Sequence, residues 1–238
     1  MPYYFYDWSM IIVLPGILLA LFAQARVSAT FRKYSAVHNA RGVTAHEVAR
    51  DILLRNGLNN VEVRIVGGNL TDHYDPRSNT VFLSESVYNS TSVAAIGVAA
   101  HECGHAVQHA QDYKPVIIRT ALVPVTNITT RLSYLFIIGG LIMAGMSKYA
   151  HSGLTIALLG VAMFAVMAVF QLVTLPVEFN ASNRAMKTLE EYNILQYDEI
   201  PQARKVLSAA ALTYVAALVT TLLTILRFLV IISGRRRN

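Results

Sequence analysis

Four long apolar runs set the first constraint on this chain. A helix needs roughly 20 mostly apolar residues to cross the hydrocarbon core of a bilayer. Residues 10–23 (MIIVLPGILLALFA) are apolar apart from the helix-tolerated Pro15 and Gly16, and Tyr3, Tyr4, Tyr6 and Trp8 before them form an interfacial aromatic belt. Residues 132–146 are short but lengthen if Arg131 snorkels to the interface. Residues 153–177 carry only Gln171 and two threonines among apolar neighbours, and residues 209–232 are interrupted once, by Arg227. Charged residues make up 14% of the chain, against about 25% in soluble proteins. The expected class is a mainly α membrane protein with about four transmembrane helices.

The first run reads as a retained anchor rather than a cleaved signal peptide. It has no basic residues before it, and Arg26, Arg32 and Lys33 follow it. The net charge of +6 then fits membrane orientation and anionic headgroups, which makes the lipid bilayer the partner. No interleaving of aromatic and basic residues indicates a nucleic-acid partner.

Between the first two runs lies a polar stretch, about residues 26–120, that reads as helix, strand, strand, helix. Thr44-x-x-Glu47 has the form of a capping box, and Ala45, Val48, Ala49, Ile52 and Leu53 follow with helical spacing up to a stop at Gly57. In VEVRIVGG, Val61, Val63 and Ile65 alternate with Glu62 and Arg64, as in a half-buried strand. A turn at Asp75-Pro76 precedes a short strand from Thr80 to Leu83. Ser90 or Thr91 then caps a helix running to about Asp112. The expected layout is an anchor helix (1–25), a polar domain (26–120), a membrane hairpin (121–177), a polar helix and loop (178–207), and a last membrane helix with a basic tail (208–238).

The chemistry is concentrated in AAHECGHAVQHA, residues 99–110. On a helix, His101 and His105 are one turn apart and project from one face, so both imidazoles reach one ion. Glu102, beside the first of them, is placed as a general base toward a water that the metal activates. Zinc in a catalytic site takes three protein ligands and keeps one position open. His109 continues the same face but cannot be the third ligand: at 1.5 Å per residue it lies roughly 12 Å from His101 along a straight helix. Ala106, Val107 and Gln108 contain no glycine that would bend the chain back. Cys103, the only cysteine, sits off the ligand positions and excludes an internal disulfide, so it reads as a packing residue.

The third ligand must come from elsewhere. His151 falls in the turn between the second and third membrane runs, a bilayer away. Two crossings after His105, "TLPVEFNASNRA" offers Glu178 at the expected start of a polar helix after Pro176. It reads as a zinc ligand or, alternatively, as an acidic residue favoured by a helix N-terminus. Glu190, Glu191 and Glu199 read as solvated surface. His73, Asp75 and Arg77 either line the cleft and meet the oxyanion or close a turn. Arg184 has a carbonyl oxygen or Asp75 as its expected partner.

"LTDHYDPRSNTVFLSESVY", "VAAHECGHAVQHA" and "PVEFNASNRA" together resemble the YugP-type zinc-dependent membrane peptidases, the neutral zinc metallopeptidases of bacteria. More remotely the chain is similar to the HtpX and CAAX-prenyl endopeptidases. The resemblance implies a small α+β zincin-like domain, Zn2+ held by His101, His105 and Glu178, and Glu102 as general base. It also shows two departures. Ser182 stands where the remote relatives place an Asp, and Asn180 where the closer family has Asp. Such residues orient the ligand histidines.

The expectation is therefore a membrane-embedded zinc metalloendopeptidase. Its substrate is a peptide or protein, membrane-protein segments among them, whose backbone pairs with the open edge of the Thr80–Leu83 strand. The rival reading is a non-catalytic zinc-binding membrane scaffold, which has no use for Glu102. An intramembrane protease would need an Asp ligand within an apolar run, and none contains one. A transporter would need ionisable residues there, and Arg227 is nearly alone. Basic residues after the first run place the zinc domain in the cytoplasm.

Overall fold

The computed structural model describes residues 8–236. Tyr3, Tyr4 and Tyr6 of the aromatic flank, and Arg237 of the tail, lie outside them. Among the described residues, four helices are long and apolar enough to cross a membrane: Met10–Ser35, Lys114–Ala144, Ser147–Glu191 and Ile200–Arg235. Each is longer than the apolar run that announced it. The polar flanks supply good helix formers and continue the same hydrogen-bond ladder. The prolines do not stop it either: Pro15, Pro124 and Pro176 all lie inside helices.

The elements in order are α1 (Met10–Ser35), α2 (Ala45–Arg55), β1 (Glu62–Val66), β2 (His73–Asp75), β3 (Thr80–Ser84), α3 (Glu85–Tyr88), α4 (Val93–Ala110), α5 (Lys114–Ala144), α6 (Ala150–Glu191) and α7 (Ile200–Arg236). They form two compact units. The first contains the described parts of Met1–Phe22, Ile118–Thr174 and Tyr214–Asn238; the second contains Ala23–Ile117 and Leu175–Thr213. Helices α1, α5, α6 and α7 each contribute to both.

In the first unit glycines set the spacing between helices. A Cβ at Gly140 would meet the Gly153 carbonyl oxygen at 2.6 Å, and one at Gly160 would meet that of Ser133 at 2.8 Å, so α5 and α6 touch backbone to backbone. Gly16 does the same for α1 against Thr220 of α7. Arg227 does not sit unanswered among apolar neighbours: its Nε donates to Oγ of the buried Ser9 at 3.1 Å.

The second unit carries the polar chemistry. Thr44 and Glu47 form the capping box in both directions, Glu47 N donating to Thr44 Oγ1 and Thr44 N donating to Glu47 Oε2. Gly57 takes a φ of +73° just past the end of α2, a conformation that costs other residues a Cβ clash. The sheet has the order β1-β3-β2, with β3 parallel to β1 and antiparallel to β2. The Thr80–Leu83 strand is therefore central and has no open edge, contrary to expectation. Its Val81 and Leu83 are fully buried. Strand β2, three residues long, supplies the edge instead. Val61 and Val63 join the core but Ile65 is 53% exposed, so the alternation in β1 buries only its first half.

Helix α4 runs through the centre of this unit. Ser92, not Ser90 or Thr91, is its N-cap, accepting from Ala95 N at 3.2 Å, while Ser90 Oγ donates to Ser92 Oγ. Val93, Ala95, Ile96, Ala99, Ala100, Cys103 and Ala106 face the core. Cys103 is a packing residue, as expected: its Sγ reaches Ala49 O at 3.6 Å, and burial pushes its thiol pKa up. Gly104 lets α4 approach α6, since a Cβ there would lie 2.8 Å from the Ala181 carbonyl oxygen.

Two expectations about the α6–α7 region need correction. Glu178 lies in the interior of α6 rather than at a helix start, because the helix continues through Pro176. Its carboxylate therefore meets no free helix N-terminus. Glu199 is not surface: it is 5% exposed and accepts from Ala40 N and Gln196 N, both at 2.7 Å, tying two loops together.

Candidate metal centre

The helical period places His101 and His105 on one side of α4 while Ala99, Cys103 and Ala106 are buried on the other. The two imidazoles meet edge to face with centroids 4.7 Å apart. From α6, Glu178 enters against them and is 4% exposed. Its Oε2 lies 3.3 Å from His101 Nε2 and 3.5 Å from His105 Nε2. One ligand atom from each residue falls within 4.8 Å of the others, and it is these three that converge among the described residues.

This donor set fits zinc. Four ligands at about 2.0–2.1 Å in a tetrahedron stand about 3.3–3.4 Å from one another, close to the His–Glu separations here. The other ring nitrogens are occupied, which leaves both Nε2 atoms for the shared point. His101 Nδ1 lies 3.1 Å from Ser182 Oγ, and His105 Nδ1 lies 3.0 Å from Gln108 Oε1. Burial pushes the His105 pKa down, yet Glu178, Glu102 and Gln108 outweigh it and the net shift is upward.

Glu102 is 8% exposed and adjoins His101; its charge is among those that raise the His105 pKa. The other residues singled out from the sequence lie elsewhere. His109 stays outside the cluster, its ring 5.4 Å from that of Tyr74. His151 belongs to the first unit. Glu190 and Glu191 are exposed. Asp75 closes the turn, accepting from Arg77 N at 3.0 Å and Ser78 Oγ at 2.9 Å, bonds that hold its pKa low. His73 stacks on Phe82 with centroids 5.0 Å apart. Arg184 does not pair with Asp75; it donates to two side-chain amide carbonyl oxygens, Asn180 Oδ1 and Gln111 Oε1, both at 2.7 Å.

Of the polar residues around the candidate ligands, Asn180 and Ser182 stand at positions singled out from the sequence, whereas Gln108 had been given no role. At the two departures from the relatives' pattern, Ser182 reaches the His101 ring and Asn180 accepts from Gln108 Nε2 at 2.9 Å. A signal did exist for Gln108. It lies three residues after His105, on the same helical face, and a buried polar residue there must find a partner.

A family model described as "Putative neutral zinc metallopeptidase" matches residues 9–233. The "Putative membrane protease YugP" of Bacillus subtilis (strain 168) is 43% identical over 221 residues, covering 92% of this chain and 95% of that protein. No solved structure matches.

The geometry predicts that purified protein carries about one zinc per chain and that Glu178→Ala loses most of it, by elemental analysis. Glu190→Ala should keep its metal. Full zinc content in Glu178→Ala would remove Glu178 from the ligand set.

Proposed function

The chain belongs to the neutral zinc metallopeptidase family, and from that membership we propose that it is a membrane-embedded endopeptidase with its reaction centre at His101, His105 and Glu178. Zn2+ is the cofactor that membership implies, and the protein is a membrane protein. The observation that carries the proposal is the convergence of both imidazole Nε2 atoms on one carboxylate oxygen, with Glu102 alongside.

A zinc ion held there would polarise a scissile carbonyl and lower the pKa of a bound water toward about 7. The chain's own residues do the rest. Glu102 takes the proton of the attacking water and delivers it to the leaving amine. Ser182 and Gln108 lie within hydrogen-bond distance of the Nδ1 atoms of the two rings. Low exposure of Glu102 and Glu178 keeps bulk water from screening these charges. A scaffold that only stored zinc would have no task for Glu102.

Strand β2 takes over the substrate-pairing role first expected of β3. It is the edge neighbour of β3, and its Tyr74 packs against His109 of the ligand helix α4. An extended peptide pairing there would present its backbone across the face that carries the histidines.

The zinc centre is assigned to the cytoplasm. Arg26, Arg32, Lys33 and Arg41 follow the first membrane helix, and Arg184, Lys187, Arg204 and Lys205 flank the Glu178 region, whereas residues 1–9 hold no Lys or Arg. Four crossings then put Arg235 on the opposite side, against the same rule. The first helix usually dominates the choice.

Glu102→Gln preserves size and polarity but cannot accept a proton. It should keep its zinc while cleavage of an unfolded casein-like substrate falls at least about a hundredfold. Equal cleavage by mutant and wild type would defeat the general-base assignment. Edge pairing uses alternate backbone N–H groups, so peptides N-methylated at odd or even positions should differ severalfold in KM. Equal KM values for the two series would place the substrate off the strand. For orientation, Ser86→Cys in a Cys103→Ala background should react with an impermeant thiol reagent only after lysis. Labelling in intact cells would reverse the assignment.

A further inference from the structure

Gln108 is fully buried, and every polar atom of its side chain has a partner. Its Nε2 donates to the Val177 carbonyl oxygen and to Asn180 Oδ1, both at 2.9 Å, while its Oε1 faces His105 Nδ1 at 3.0 Å. The Val177 oxygen can only accept, so the NH2 end of the amide must point to α6. That leaves an acceptor facing His105, and the ring can satisfy it only with a proton on Nδ1. The Nε2 lone pair is then directed to the side where Glu178 stands.

The arrangement closes on itself. Asn180 Oδ1 also accepts from Arg184 Nε, and Arg184 donates onward to Gln111 at the end of α4. The Asn180 amide is thereby held with its oxygen toward Gln108. A main-chain carbonyl of α6, one residue before the proposed ligand Glu178, thus fixes the tautomer of a proposed ligand on α4.

We infer that Gln108 is a positioning residue for the metal centre: it sets the protonated nitrogen and the orientation of the His105 ring. This rests on the zinc reading above. It assigns Gln108 a task distinct from joining α4 to α6, and the two tasks separate by substitution. Gln108→Met keeps the length of the side chain and removes all of its hydrogen bonds. Gln108→Glu keeps an acceptor for His105 but loses both donors to α6.

The test measures zinc affinity of the purified full chain by chelator competition, together with the d–d spectrum of the Co2+-substituted protein. Wild type should bind one zinc. Gln108→Met should bind about 10–100-fold more weakly, with a changed cobalt spectrum. Gln108→Glu should stay within a few-fold of wild type with an unchanged spectrum, even where its melting temperature falls. Should Gln108→Met not accumulate, Gln108→Asn, whose amide is one carbon short of the ring, should show the same loss. Wild-type affinity in the Met or Asn variant overturns the inference, and so does an equal loss in the Glu variant, which would make Gln108 a helix clamp only. A wild-type protein that binds no zinc removes the function reading and this inference with it.

Discussion

The carboxylate of Glu178 is nearly sealed from water, and an ionised group in that position has to be answered at close range. Two imidazole nitrogens at 3.3 and 3.5 Å answer it. Everything that makes this possible concerns how near α4 and α6 approach. Gly104 removes the one Cβ that would strike the Ala181 carbonyl, and the small residues around it keep the contact backbone to backbone. A wider gap would leave the carboxylate without its partners and the histidines without a third donor.

The polar residues at this crossing do two jobs at once. Ser182 and Gln108 satisfy the inner nitrogens of the imidazoles, and through Val177, Asn180, Arg184 and Gln111 they bind the two helices to each other. A buried network of this kind is stabilising only when each member is satisfied. Around Gln108 the count closes, with two donors and one acceptor all used.

How much of this could be read from the sequence follows from the range of each interaction. The apolar runs, the Thr44–Glu47 capping box, the turn at Asp75 and the His101–His105 spacing are set by neighbours within a few residues, and all four appear in the structure. Features that depend on distant partners were misread or missed. Strand β2 is only three residues long and exists because β3 pairs with it, and that pairing also takes away the edge of β3. Pro176 suggested a helix break, yet α6 carries on through it. Glu199 looks like any loop carboxylate until Ala40, far back in the chain, donates to it.

The three residues of the proposed centre also come from segments far apart in the order of synthesis. His101 and His105 leave the ribosome first, and Glu178 follows only after all of α5 and more than half of α6. Chains are made from the N-terminus at roughly 5–20 residues per second, so for several seconds the nascent chain holds two imidazoles and no third donor. During that interval the Gln108 amide has neither the Val177 carbonyl nor Asn180 to set its direction, and Ser182 has not yet been made. A centre divided in this way completes itself only once the third hydrophobic segment has been made, and so the timing of translation and insertion decides when the finished site first exists.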